Sequence, residues 1–307
     1  MIHETLAATN AVVTLDVALP DVFWGWYVTM NMWAKSIGTG LVFMLFLLLR
    51  KNSSEMSGLR TPAIIVSFIM MNVFLLFTLA DLHQPFRMWH IFFYPHWTSA
   101  ITVGAWMATI FVGLEFVMAA MMIRKDKCLL TKNPTESFDK LLFWVTLLAI
   151  PVTLYTAGIM AEATARELWQ MPTESVQMIL AATLSGSAAI ILLGGSKLSD
   201  ETKNFFASIL GLSALLAFII YMSEYVFGSM KAEEVTAILA YVKGDGEYAT
   251  MFWIGQWVAY ILPMILVALY RVSKSNSILT LAAILAITGL WVVKHVWLVI
   301  PQLLPLS

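Results

Sequence analysis

The chain has 307 residues, of which 60% are hydrophobic and only 12% are charged, and its formal net charge at pH 7 is −1. This composition excludes an ordinary water-soluble domain of the same length, and the lack of a basic surplus excludes a nucleic-acid-binding protein. The single cysteine, Cys128, excludes both a disulfide framework and a set of thiolates that would hold an iron–sulfur cluster in this chain.

Eight segments are apolar over the ~20 residues that a membrane-spanning helix requires. In chain order, we predict helices at 23–49, 62–80, 98–123, 140–161, 175–195, 205–227, 250–270 and 277–300. The connections are too short for a soluble domain, so 1–307 is predicted to be a single all-α integral membrane domain. The first twenty residues lack the pattern of a secretory signal, so we expect helix 1 to direct insertion and no leader to be cleaved.

Lysine and arginine are concentrated in alternate connections, and cytoplasmic loops retain an excess of these residues. The connections after helices 1, 3, 5 and 7 hold Arg50, Lys51, Arg60, Arg124, Lys125, Lys127, Lys132, Lys140, Lys197, Lys203, Arg271 and Lys274. The opposite side has only Arg87, Arg166, Lys231 and Lys243. We therefore predict a multi-pass protein of the bacterial inner membrane with both termini in the periplasm.

Tryptophan is concentrated on the predicted periplasmic side, where Trp24, Trp26, Trp89, Trp97, Trp169, Trp253, Trp257 and Trp297 fall. Only Trp144 lies near the inner rim. Aromatic belts normally occur at both interfaces. Two interpretations are open: a thick outer aromatic belt, or an outer face that also binds something.

Polar side chains at membrane depth are the main functional signal, because an ionisable group in hydrocarbon costs about 2.5–3.5 kcal/mol on insertion scales. Three helices are predicted to direct such groups to one depth in the outer leaflet: Asn31 and Lys35 on helix 1, Asp81 with His83 and Arg87 at the end of helix 2, and Tyr155 and Glu162 on helix 4. This convergence favours a functional site over isolated structural residues.

Other polar residues lie outside this outer cluster. Glu224 is near the outer end of helix 6, Lys294 and His295 are on helix 8, and Glu115 and Asn72 lie deeper, where they would begin a proton path toward the cytoplasm. Structural alternatives remain open for several of the residues named so far. In these alternatives, Lys35 forms an ion pair with Asp81, and Lys294 and His295 only extend to the outer headgroups. Arg87 and Arg166 are then ordinary interfacial residues, Glu162 marks a helix end, and Tyr155 is a core aromatic residue whose hydroxyl bonds the backbone.

The chemistry is narrowed by the histidines, since only His295 of the five lies in a predicted span and a transmembrane haem needs axial histidines on facing helices. Without haem or an iron–sulfur cluster in this chain, electron transfer requires a small redox molecule such as a quinone, served by a partner's cofactor. A quinone exchanges two electrons and two protons, so its site needs donors to both carbonyl oxygens and a carboxylate relay. The outer cluster supplies these residue types.

Several stretches carry a family resemblance. They are Phe23-Trp24-Gly25-Trp26 followed by Gly38 and Gly40, then Asp81-Leu82-His83-Gln84-Pro85-Phe86-Arg87-Met88-Trp89, then Tyr94-Pro95 before Ser99, and Tyr155-Thr156-Ala157-Gly158 before Glu167-Leu168-Trp169 and Pro172. Together they resemble the NrfD / polysulfide-reductase membrane-subunit family over helices 1 to 5. The resemblance implies a quinone-reactive subunit of two four-helix bundles, about 23–161 (quinone-binding) and about 175–300.

The resemblance also implies partners: a periplasmic ferredoxin-like iron–sulfur subunit and, through it, a catalytic subunit. By position, Asn31 matches a helix 1 quinone ligand that is a histidine in polysulfide reductase, and Tyr155 matches the helix 4 tyrosine. Because asparagine stands in place of that histidine, it is open whether Lys35 is the quinone ligand on helix 1. We predict that menaquinone or ubiquinone binds among Asn31, Lys35, Asp81, His83, Arg87 and Tyr155, with Asp81, Tyr155 and Glu162 as the catalytic groups.

The route of the protons and the direction of electron flow stay open. One predicted route takes protons to the periplasm through Asp81 and Glu162. The other takes them to the cytoplasm through Glu115 and Asn72. Glu224 and Lys294 are further predicted residues of a proton path. A secondary transporter or ion-coupled permease and a passive membrane anchor are the competing functions. A transporter is disfavoured because the sequence lacks helices broken by Gly or Pro at matching positions in its two halves. An anchor is disfavoured because it would not need polar groups that converge at one depth.

Overall fold

A computed structural model describes residues 22–124, 128 and 131–304, and all regular structure within these ranges is helical. The long helices are α1 (Trp26–Lys51), α2 (Arg60–Asp81), α3 (Ala100–Ile123), α4 (Pro134–Glu162), α5 (Met171–Gly194), α6 (Asp200–Phe227), α7 (Ala249–Ser273) and α8 (Asn276–Val299). The N-terminal tail with His3, and Lys125 and Lys127 of the charge pattern, lie outside the described residues.

All eight predicted helices are confirmed, and each is long and apolar enough to cross a membrane. Their starts differ most from prediction where polar residues open the helix. α4 begins at Pro134 rather than at 140, because a proline in the first turn has no amide hydrogen that would go unpaired. α6 begins at Asp200 rather than at 205, since the Ser199 hydroxyl accepts from the Thr202 amide and caps the helix.

The helices pack in two consecutive sets. Each of α1 to α4 packs against the next and α4 returns to α1, while α5 to α8 pack in the same way and α8 returns to α5. The main contact between the sets is that of α1 with α5, and these two helices are the most enclosed. At their crossing, a Cβ atom on Gly40 would overlap the carbonyl group of Ala182, so two backbones meet without side chains between them.

The two ends of the protein are held by different contacts. At the end that we call the Trp24 face, the Trp24 ring stacks on Trp169 at 5.3 Å between centroids. The Gln302 side chain accepts from the Phe23 and Trp24 amides at 3.1 and 2.9 Å and donates to the Trp24 carbonyl at 3.0 Å. This clamp fixes the start of α1 to the residues that follow α8.

The other end, which we call the Arg50 face, is held by ion pairs. Arg60 donates two hydrogen bonds to the Asp139 carboxylate, at 2.9 and 2.7 Å, and joins the starts of α2 and α4. Lys51 bonds Glu201 at 2.6 Å and joins the end of α1 to the start of α6. These contacts place the starts of α2, α4 and α6 on one face, together with the end of α1.

A π turn interrupts α7 at Trp257–Ile261, where the Leu262 amide donates to the carbonyl of Trp257, five residues earlier. The cause is Pro263, which has no amide hydrogen and whose ring would crowd the carbonyl four residues before it. The backbone of Gly289 on α8 lies directly against this turn, since a Cβ there would overlap Ala259. A continuous helix was predicted here, so the turn is a feature that periodicity missed.

Candidate functional site

The centre of the site lies on α1, between α2 and α4. Asn31 donates from Nδ2 to the Thr78 hydroxyl on α2 at 2.5 Å, and Thr78 in turn donates to the Phe74 carbonyl at 2.8 Å. One turn further along α1, Lys35 is completely buried and its ammonium donates to the Thr156 hydroxyl on α4. The two predicted α1 residues are thus directed at the neighbouring helices from which further ligands were expected.

Aromatic rings surround the Lys35 ammonium. Its Nζ atom lies 4.4 Å from the centroid of the Tyr155 ring and 6.0 Å from that of Phe74, within the range of cation–π attraction. The Phe74 and Tyr155 rings meet edge to face at 6.4 Å. Gly104 on α3 makes room for this arrangement, because a Cβ at that position would overlap the Tyr155 ring. The buried Lys35 ammonium is therefore in contact with the partly buried Tyr155 ring, and Asn31 lies one helical turn from Lys35.

No carboxylate accompanies Lys35 in the part of the protein that the structure describes, so the alternative of an ion pair with Asp81 is wrong. An ammonium carries three N–H donors, and Thr156 is the hydrogen-bond acceptor that the described residues supply. Donor capacity is therefore left for a ligand. Buried ammonium groups are costly unless they are paired, which makes this the most conspicuous polar group of the first four helices.

An exposed aromatic wall lies beside this group toward the Trp24 face. Trp26 and Tyr27 on α1 are 50% and 39% exposed, and both rings pack against Phe77 of α2 at 5.7 and 6.1 Å between centroids. Asn31 follows Tyr27 by one helical turn. The wall presents flat apolar surface next to the buried donors, which suits a planar ring with polar substituents.

The other residues of the predicted outer cluster lie at its rim. Asp81 is half-buried at the end of α2, and His83 and Arg87 are exposed in the connection 82–99. Glu162 is exposed at the end of α4, where its Oε1 atom accepts from the Ala100 amide at 3.2 Å. This contact makes Glu162 a cap for the start of α3, where a negative charge also complements the helix dipole.

The two residues of the predicted proton path toward the cytoplasm lie in different surroundings. Glu115 is fully buried and its Oε1 atom lies 2.5 Å from the Ser67 hydroxyl, which also lies 2.8 Å from the Gly38 carbonyl. Asn72, by contrast, is on the exposed side of α2 and donates to the Phe68 carbonyl of its own helix at 2.7 Å. These two side chains bond different partners in the described residues, and a proton route through both stays a prediction.

The structure corrects two further alternatives. Lys294 does not extend to the headgroups, because it is buried and its Nζ atom lies 3.7 Å from the Met178 sulfur on α5.

Arg166 is not an ordinary interfacial residue, since it donates to the carbonyls of Pro301 and Leu304, both at 2.6 Å. Burial lowers the pKa of the Arg166 guanidinium, and the Glu234 carboxylate opposes this shift. His295 shares a hydrogen bond with the Thr29 hydroxyl at 2.9 Å.

Several polar residues of the helices were missed by the sequence analysis: the partly buried Thr78 and the buried Thr156, Glu174, Gln177 and Gln256. Threonine hydroxyls commonly bond their own helix, so their sequence gives no sign of a contact between helices. Glu174 falls in the first turn of α5, where a carboxylate is ordinary. The two glutamines are not ionisable, so a test for charge at membrane depth passes over them. Their signal was a hydrogen-bonding side chain within an otherwise apolar span.

Comparison with known proteins decides the family. The model of the family described as polysulphide reductase, NrfD matches residues 17–304. The chain belongs to this family. The match extends the resemblance seen in helices 1 to 5 over all eight helices of this NrfD-family protein.

Curated relatives agree. A polysulfide reductase subunit of Wolinella succinogenes is 21% identical over 296 residues, covering 89% of this protein and 92% of the relative. A tetrathionate reductase subunit of Salmonella typhimurium is 25% identical over 228 residues, 74% of this protein and 64% of the relative. A selenate reductase subunit of Mesobacillus selenatarsenatis is 22% identical over 318 residues, 91% and 73% of the two proteins. The relatives are subunits of reductases, which supports a role for this NrfD-family member in an oxidoreductase complex.

Proposed function

We propose that this protein is the quinone-reactive membrane subunit of a respiratory reductase complex, with the quinone head group bound by Asn31, Lys35 and Tyr155. The observation that carries the proposal is the buried Lys35 ammonium, which has a hydroxyl and two aromatic rings as neighbours but no carboxylate among the described residues. Such a donor in a hydrocarbon environment is suited to the oxygen of a membrane-soluble ligand.

In the proposed reaction, the buried side chains bind the ring oxygens of the quinone, and a carboxylate at the rim exchanges protons with water. A quinol that becomes a quinone loses two electrons and two protons, and the reverse reaction takes them up. Lys35 would hydrogen-bond one ring oxygen, and Asn31 with the Tyr155 hydroxyl would hydrogen-bond the other. Asp81 follows Thr78 by about one turn at the half-buried end of α2, where a carboxylate exchanges protons with water. The ligand is menaquinone or ubiquinone.

The same arrangement supports the division of the protein and its orientation. All three proposed ligands lie on α1 and α4, within the first set of packed helices, which we take as the quinone-binding four-helix bundle; α5 to α8 form the second. The basic residues at the Arg50 face favour a cytoplasmic location for that face and a periplasmic location for the Trp24 face and both termini. The protein would then lie in the bacterial inner membrane.

A partner surface is proposed on the connection 82–99 at the Trp24 face. Its most exposed large side chains are aromatic: Phe86, Phe93, Tyr94 and Trp97. Contiguous exposed apolar groups commonly mark an interface, and aromatic residues are enriched in protein interfaces. We assign this surface to a periplasmic iron–sulfur subunit, which would carry electrons between the quinone and a catalytic subunit.

The first test is to purify the protein with its associated subunits and to extract lipid-soluble redox compounds. We expect to find bound menaquinone or ubiquinone.

The variant Tyr155→Phe is expected to lower quinol-linked turnover by about a hundredfold, because it lacks the hydroxyl that exchanges protons with the ring oxygen. The complex should still assemble, because the ring keeps its packing on Phe74 and Lys35. Tyr270→Phe, at a buried tyrosine of α7, is the matched control and should turn over normally. Absence of both a quinone and an iron–sulfur partner would refute the proposal.

A second prediction uses the glycine behind Tyr155. Gly104→Ala is expected to displace the Tyr155 ring and to weaken quinone binding, with a rise in KM of about tenfold for a loss of one hydrogen bond. Gly113→Ala on the same helix is the control, because its Cβ would meet open space. Steady-state kinetics with a short-chain quinol measures both variants. Equal KM values for the two variants would contradict the proposed role of Tyr155.

A further inference from the structure

A second group of buried polar side chains lies in α5 to α8, on the side of the Trp24 face. Its members are Glu174 and Gln177 on α5, Glu224 on α6, Gln256 on α7 and Lys294 on α8, and each is more than nine-tenths buried. We call these five residues the inner polar cluster. The quinone site proposed above uses none of them.

Contacts join the four helices at this level. Trp297 of α8 donates from its indole nitrogen to Glu174 at 3.1 Å, and its ring meets Tyr221 of α6 edge to face at 5.0 Å. Tyr221 stacks on Tyr260 of α7 at 5.9 Å. Gln256 precedes Tyr260 by one turn. The cluster therefore lines the interior between helices.

The cluster has more hydrogen-bonding groups than the protein satisfies. Both amide atoms of Gln256, the Nε2 atom of Gln177 and the Oε2 atom of Glu224 have no hydrogen-bond partner among the described residues. Buried polar atoms in native proteins are almost always paired, and those without a protein partner are commonly bridged by ordered water. The π turn begins immediately after Gln256, and such turns occur often at functional sites.

We propose that the inner polar cluster is a hydrated proton-transfer site that connects the quinone group to the Trp24 face through the second set of helices. This proposal rests on the proposed function. Lys294 lies between the quinone group and the rest of the cluster, because its Nζ atom is 3.7 Å from the sulfur of Met178, one turn beyond Glu174 on α5, and Met178 packs in one apolar cluster with Met32 of α1. Glu224 is bonded to the partly exposed Lys231 at 2.5 Å, which brings the path to the surface.

The balance of the transfer is simple. A quinol that becomes a quinone loses two electrons and two protons. The Lys35 ammonium releases a proton to Lys294 and takes up the proton of the quinol hydroxyl bonded to it, and the released proton passes through water and Glu174 to Glu224, from which it leaves at the Trp24 face. The proton of the other hydroxyl leaves through Asp81, and the two electrons would be taken up by the iron–sulfur centre of the partner subunit. The carboxylates and the amine carry the proton, while the glutamines hold the water molecules that bridge them.

The hydration itself is tested without reference to quinone. X-ray hydroxyl-radical footprinting of the purified complex generates radicals from bound water, so buried residues beside that water are modified. We expect Met178 and Tyr221 to be oxidised in spite of their burial, whereas Met44, a buried methionine in the apolar core of α1, is not. Equal modification of Met178 and Met44 would overturn the hydrated site.

The transfer is tested with Glu174→Gln in the complete complex. We expect unchanged quinone content, turnover lower by at least about tenfold, and a larger solvent isotope effect in deuterated water, because proton transfer becomes rate-limiting. Glu136→Gln, at an exposed glutamate paired with Lys140, is the control. Turnover and isotope effect equal to the wild type would overturn this route. Failure of the proposed function is recognised separately, since the wild-type complex would then contain no quinone.

Discussion

Replacing Lys35 by methionine is expected to lower quinol-linked turnover by about two orders of magnitude or more while the protein remains folded and bound to its partners. The side chains are similar in length, so the packing against Phe74 and Tyr155 is kept. Removal of the buried ammonium also removes an insertion cost of about 2.5–3.5 kcal/mol, so thermal stability should stay equal or rise. Loss of activity together with retained stability separates a ligand role from a structural one.

Lys203→Met is the control for this experiment. Lys203 is also largely buried, but it lies at the Arg50 face beside Asp200, with 3.7 Å between Nζ and the carboxylate. Its replacement should leave turnover near the wild-type value. Quinol-dependent reduction by the purified complex and a thermal melt measure both variants. A Lys35→Met complex that turns over normally would remove Lys35 from the site.

Replacing Gly40 by leucine is expected to abolish the folded protein in detergent. The Cβ alone would overlap the Ala182 carbonyl, and a leucine adds further atoms at the crossing of α1 with α5. Overpacking typically costs about 1–3 kcal/mol, and more where the obstacle is backbone that must move rather than a side chain that can rotate. Because this crossing joins the two sets of helices, its separation would expose buried surface on both.

The matched variant is Gly113→Leu, on the exposed side of α3, where the new side chain would meet open space. It should be recovered in normal yield with an unchanged melting temperature. Size-exclusion chromatography and thermal unfolding in the same detergent compare the two. Recovery of Gly40→Leu as a monodisperse, normally melting protein would show that α1 and α5 are not locked together at this glycine.

The helices were predictable because a membrane selects strongly for apolar length, and that property is local. Their exact starts depend on capping, as Ser199 shows for α6, and capping is weaker than the hydrophobic signal. The π turn could not be foreseen from periodicity, because one extra residue in a turn barely changes an apolar pattern. Pro263 was the available sign.

The site was predictable in part. The depth of Asn31, Lys35 and Tyr155 followed from counting residues along each helix, and the structure places the Lys35 ammonium against the Tyr155 ring with Asn31 one turn away, while their role as a site stays a proposal. Helix rotation did not follow, because it is set by packing between distant segments. Asn72 shows this, since the residue is at the expected depth but on the opposite side of α2 from Glu115.

The Gln302 clamp has a consequence for biosynthesis. Its three hydrogen bonds to Phe23 and Trp24 join residues separated by about 278 positions, so they form only after almost the whole protein has been made. At translation rates of about 5–20 residues per second, α1 waits roughly tens of seconds for the segment that fixes its start. Thr156 is also synthesised after α1. Until it is made, the Lys35 ammonium of the nascent first helix lacks its hydroxyl partner, and the insertion machinery or a chaperone must accommodate that charge.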